Sequence, residues 1–93
     1  MSLLSEAEIT SALGALPGWE RRGATIVKTF DRSDFDGSLR FVNAVAALAN
    51  AQNHHPDIAI SWNEVTLTLS SHDAGGLTER DIRLAEAIEG LSV

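Results

Sequence analysis

The sequence predicts an α+β fold, and two observations carry that prediction. Three segments place apolar residues at helical spacing, in the neighbourhoods of residues 9–16, 35–52 and 79–91. Between them lie two pairs of short alternating runs separated by turn residues, which read as strands. The predicted order is helix, two strands, helix, two strands, helix. At 93 residues the chain has room for one core, so residues 1–93 are expected to form a single domain. A chain of this size buries only about 60–65% of its unfolded surface, so association into an oligomer would add useful burial.

Each element has its own local reason. Ser5 and Glu8 form an S-x-x-E capping box, with Leu4 and Ile9 at the flanking staple positions. Ile9, Ala12, Leu13 and Leu16 then fall on one helical face, and Pro17-Gly18 ends the helix. Two strands follow at about 19–22 and 25–30, joined at Gly23-Ala24. In the second, Ile26, Lys28 and Phe30 share one face and Val27 and Thr29 the other, a mixed alternation expected near a sheet edge. The second helix runs from Asp34 or Phe35 to Gln52. Phe35, Leu39, Phe41, Val42, Val45, Ala46, Leu48 and Ala49 cover about half of its cylinder. A helix lying on a sheet needs less, so either another subunit or an overlap with the first or third helix must take up the excess. Pro56 disfavours helical geometry at His55, which puts the pair His54-His55 on a helix-to-strand transition.

The stretch "DIAISWNEVTLTLSS" reads as a hairpin turning at Asn63-Glu64. That turn sets Trp62 opposite Val65, Ile60 opposite Leu67 and Ile58 opposite Leu69 on one face. Ser61 with Thr66, Ala59 with Thr68 and Asp57 with Ser70 occupy the other. Carried two steps further, the same register sets His55 opposite His72. A flexible loop with Gly75-Gly76 comes next, and Thr78 caps the third helix with Asp81 at the fourth box position. Ile82, Leu84, Ala85, Ile88 and Leu91 form its apolar side.

Composition narrows the function classes. An apolar fraction of 44% and a charged fraction of 22% are those of a soluble globular protein. No cysteine is present, which excludes disulfides and thiolate metal sites. No apolar run approaches the ~18 residues of a membrane span, and "MSLLSEAEIT" lacks the features of a signal peptide, so a cytoplasmic protein is expected. The net charge of −6 and only seven Lys and Arg residues argue against nucleic acid. A small neutral or mildly polar ligand suits this chain better.

Three histidines that approach one another have three uses. Three imidazoles can hold zinc with water as the fourth ligand, although neighbouring residues point apart and no HExxH spacing is present. They can exchange protons, because imidazole titrates near neutral pH. The C-terminal end of the second helix favours a protonated ring at His54 and His55. They can also be exposed or capping residues with no chemistry. The neighbouring residues have equally plain structural roles: Asp81 as a helix cap, Asp73 as a loop acid, Trp62 as a core or turn residue, Ser70 and Ser71 as strand ends.

Taken together, these residues resemble the pterin-4a-carbinolamine dehydratases. His54-His55-Pro56, Trp62, His72 and Asp81 fall at that family's spacings, and "LPGWE", "DFDGSLRFVNAVAALA" and "LSSHDAGGLTERDIRLA" are similar to its sequences, so the resemblance covers most of the chain. Asn50 departs from the pattern, standing where the family has Glu or another ionisable residue, which would weaken any charge effect on a histidine. The resemblance implies an α+β fold with a four-stranded antiparallel sheet and three helices packed on one face, and a homodimer or homotetramer. It implies dehydration of 4a-hydroxytetrahydrobiopterin to quinonoid dihydrobiopterin, recycling the cofactor of aromatic amino acid hydroxylases without a metal or redox cofactor. By carry-over, His54 and His72 form the acid–base pair, His55 positions the pterin and Asp81 orients the site. Asn53, Ser70, Ser71 and Asp73 lie at substrate-contacting positions. The alternatives are a non-catalytic interaction module, a dehydratase-like protein with a different pterin ligand, or a metal hydrolase.

Overall fold

The computed structural model describes residues 2–92. Seven elements follow the expected order: α1 (Glu6–Gly14), β1 (Glu20–Arg22), β2 (Thr25–Asp31), α2 (Phe35–Gln52), β3 (Asp57–Ser61), β4 (Glu64–Leu69) and α3 (Glu79–Glu89). The strands form one antiparallel sheet in the order β1-β2-β4-β3. The fold is α+β.

The sheet is two-faced because its sequence alternates. Ile26 and Phe30 on β2 and Val65, Leu67 and Leu69 on β4 are buried on one face. Val27, Thr29, Thr66 and Thr68 fall on the other, where the hydroxyls of Thr29 and Thr66 lie 2.9 Å apart. The helices cover the apolar face: Ile9 of α1, Phe41 and Val45 of α2, and Leu84, Ala85 and Ile88 of α3 join the same buried cluster. At the far end of α3, Glu89 accepts hydrogen bonds from Trp19 Nε1 at 3.1 Å and Lys28 Nζ at 2.8 Å. This contact ties α3 to the β1–β2 side of the sheet and helps set where its N-terminus points.

Both predicted capping boxes are present, Ser5 with Glu8 and Thr78 with Asp81. Two expectations need correction. β2 is an interior strand, flanked by β1 and β4, although β1 pairs only with Thr25, Ile26 and Val27. The remainder of β2 therefore has one partner, and the polar Lys28 in its alternation is satisfied by the Pro17 carbonyl and Glu89.

The hairpin register is also displaced by two residues. The turn residues are Trp62 and Asn63, so Ile60 faces Val65, Ile58 faces Leu67 and Asp57 faces Thr68. A two-residue slip preserves the faces but changes every neighbour. Tertiary bonds select this turn over the local preference. Asp31 Oδ1 accepts from Asn63 Nδ2 at 3.0 Å, Arg32 N–H donates to the Asn63 carbonyl at 2.7 Å, and the buried Ser38 hydroxyl donates to the Trp62 carbonyl at 2.6 Å. They hold Trp62 at φ 52°, a left-handed conformation that a bulky side chain seldom adopts. Trp62 is consequently an exposed turn residue, not a partner of Val65. Extending the observed ladder places His55 beside Ser70, so the expected pairing of His55 with His72 does not form.

Candidate functional site

The histidine pair owes its placement to the way α2 ends. Asn53 takes the left-handed conformation at φ 50° and ψ 44°, which its short polar side chain tolerates. Asn53 N–H then reaches the Asn50 carbonyl at 3.3 Å and His54 N–H the Ala49 carbonyl at 3.0 Å, the paired bonds of a Schellman ending. Pro56 disfavours helical geometry at His55, the residue before it. Across this junction His54 is buried and His55 is exposed.

Inside, His54 Nε2 lies 2.6 Å from Oδ1 of Asp81, whose side chain is wholly buried. The other Asp81 oxygen accepts the Thr78 backbone N–H at 2.9 Å and the Ser71 hydroxyl at 2.8 Å. Ser71 Oγ lies 2.8 Å from Thr78 Oγ1, which accepts Arg80 N–H at 3.2 Å. These bonds have one consistent direction. Arg80 N–H donates to Thr78, Thr78 O–H to Ser71, and Ser71 O–H to Asp81. A carboxylate only accepts, so the hydrogen on its third partner is assigned to Nε2 of His54. The second ring nitrogen, Nδ1, is then the one without a hydrogen, with its lone pair free to accept one. Asp81 is both a helix cap and a histidine partner, one function to each oxygen.

The other predicted site residues surround this network. His55 turns outward, its Nε2 2.9 Å from Asn50 Oδ1. His72 is exposed and follows Ser71 in a tight turn, where Ala74, Gly75 and Gly76 N–H groups all reach the Ser71 carbonyl. Asp73 accepts from Arg80 Nη2 at 2.7 Å, and this guanidinium holds the Asp73 carboxyl below the usual carboxylate range. Ser70 donates its hydroxyl to the Ala24 carbonyl at 2.8 Å, and Asn53 is the exposed cap of α2. Asp81 thus joins the α2–β3 junction, through His54, to the turn that carries His72, through Ser71. The three rings have separate surroundings, and among the described residues no three His, Asp or Glu side chains gather as a metal site. Two surface hollows, of about 270 Å3 beside Arg32 and Arg40 and about 200 Å3 beside Leu3 and Gly75, include no histidine.

Arg80 escaped the sequence reading. Its signal was an arginine in the first turn of a helix, the end where the dipole disfavours a cation.

Comparison with known proteins places this geometry in context. The sequence profile of the family described as Pterin 4 alpha carbinolamine dehydratase matches residues 2–91. A protein of Roseiflexus castenholzii provisionally named a pterin-4-alpha-carbinolamine dehydratase is 53% identical over 88 residues, covering 95% of each chain. One of Thermosynechococcus vestitus with the same provisional name is 48% identical over 90 residues, covering 97% of this chain and 95% of that one. A crystal structure described as a transcriptional coactivator/pterin dehydratase from Brucella melitensis superposes with a TM-score of 0.90 at 33% identity, over 95% of this chain and 96% of that one. A pterin dehydratase-like protein described as a RuBisCO assembly factor shares the fold, with a TM-score of 0.60 at 23% identity over 80% of this chain and 89% of that one.

Proposed function

This chain belongs to the pterin-4a-carbinolamine dehydratase family, and from that premise we propose that it dehydrates 4a-hydroxytetrahydrobiopterin to quinonoid dihydrobiopterin by histidine acid–base catalysis. The observation that carries the proposal is the 2.6 Å bond between His54 Nε2 and the buried Asp81 carboxylate. A carboxylate that fixes one imidazole nitrogen orients the ring and selects the tautomer of the other.

In this reading, Nδ1 of His54 takes the proton from ring nitrogen 5. The N–H electron pair forms the double bond to carbon 4a, the carbon–oxygen bond breaks, and His72 supplies the proton with which hydroxide leaves as water. One proton is taken and one is given, so no oxidant or reductant is needed. His55 holds the pterin, with Asn53, Ser70 and Asp73 around it. Ser71 acts through Asp81, because its hydroxyl is buried and engaged. The product re-enters reduction, so the reaction recycles a hydroxylase cofactor.

The test generates the 4a-carbinolamine with a hydroxylase and follows its dehydration in the ultraviolet. Folded protein is expected to accelerate the reaction; an unchanged rate rejects the proposal.

The working form is proposed to be a homodimer or homotetramer. Phe35 and Leu39 on α2, Ile58 and Ile60 on β3, and Trp62 remain exposed, and β3 is an unpaired edge. Overlap with α1 or α3 leaves this end of the α2 band uncovered. Sedimentation at micromolar concentration should report an assembly larger than the 9.9 kDa monomer. A monomer there contradicts it.

A further inference from the structure

Arg80 breaks two local rules at once. It is a cation in the first turn of α3, where the helix dipole opposes positive charge. Its Nε is buried with no hydrogen-bond partner among the described residues, a costly state for a guanidinium donor. A helix designed only for stability would place neither feature there, and such violations collect where a residue serves function.

What Arg80 does hold is Asp73, through a single bond from Nη2 at 2.7 Å. Nη2 and Nε are the two donors on one side of the guanidinium plane, the pair that grips a carboxylate in a fork. Here half of the fork is made. Asp73 directly follows His72, and the His72 turn is already closed from behind by the bonds to the Ser71 carbonyl. The Arg80 backbone also starts the hydrogen-bond chain that runs through Thr78 and Ser71 to Asp81 and His54. One residue thus touches both halves of the site, the fixed half by its backbone and the exposed half by its side chain.

We propose that Arg80 is a positioning residue that grips Asp73 and so fixes the turn that carries His72, beside Ser71 of the network that holds His54. The inference rests on the dehydratase reading for its consequence, but the geometric part stands without substrate.

Two measurements test it on the full-length protein. The first is free of substrate: in NMR spectra of histidine-labelled protein, Arg80→Gln and Asp73→Asn should each shift or broaden the His72 ring signals, with the His54 signals kept. Unchanged His72 signals in both variants overturn the proposal, whether or not the protein is a dehydratase. The second is kinetic. Arg80→Gln and Asp73→Asn should each lower kcat about tenfold or more, since small misplacements of a reacting group are costly. The double variant Arg80→Gln/Asp73→Asn should fall no further than the worse single one, because both remove one contact. Additive losses, or a wild-type kcat in Arg80→Gln, overturn it. Asp73 is largely exposed, so Asp73→Asn gives an answer even if the Arg80 variants fold poorly.

Discussion

Asp81→Asn is expected to fold and to lose about 10²–10⁴-fold in kcat/KM, the contribution typical of a positioned acid–base group. The reason lies in which hydrogens the carboxylate receives. The Thr78 backbone N–H can only donate, so the asparagine must keep its carbonyl oxygen on that side. Its amide nitrogen then faces His54 Nε2, which is forced to accept. The ring hydrogen moves to Nδ1, and the nitrogen meant to take a proton already has one. Asp81→Ala should differ in kind. It strands three buried donors at about 1–3 kcal/mol each, so a lower midpoint in urea accompanies the lost activity. Wild-type turnover by a folded Asp81→Asn protein would show that the His54–Asp81 bond is structural only.

Gly37→Ala is expected to destabilise the protein by about 1–3 kcal/mol, the usual cost of overpacking. Inside an exposed helix the same change stabilises by about 1 kcal/mol, so the sign is diagnostic. A Cβ at Gly37 would meet the Arg32 carbonyl oxygen, a backbone atom, far inside van der Waals contact. Relief requires moving the link between β2 and α2, where Asp34 caps Gly37 N–H at 2.7 Å and Arg32 N–H holds the Asn63 carbonyl. The β3–β4 turn hangs on this same link and on Ser38, the next residue. Urea denaturation decides the matter, and a stabilised Gly37→Ala variant would contradict the packing described here.

What could be read in the sequence, and what could not, divides along physical lines. The helix starts were legible because capping boxes are local: Ser5 with Glu8 and Thr78 with Asp81 need only four consecutive residues. The end of α2 was legible from Pro56. The turn at Trp62 and Asn63 was not, since it is set by Asp31, Arg32 and Ser38 from elsewhere in the chain, against the local preference for a turn at Asn63 and Glu64. That single slip removed the predicted meeting of His55 with His72. In the site, the family resemblance singled out His54 and Asp81, but only coordinates show them bonded to each other, with Ser71 as the link to the His72 turn. Asn50 stands at a position the family keeps ionisable; the structure shows it serving exposed His55, not buried His54.

In the proposed reaction His54 is the proton-exchanging ring and Asp81 holds it. The most direct test compares single-turnover dehydration of the 4a-carbinolamine by wild-type protein and by folded His54→Ala. The wild-type protein should speed the reaction, and His54→Ala should bring it down to within about tenfold of the uncatalysed rate, the remainder reflecting binding and the other histidines. A His54→Ala protein as fast as the wild type would contradict the account.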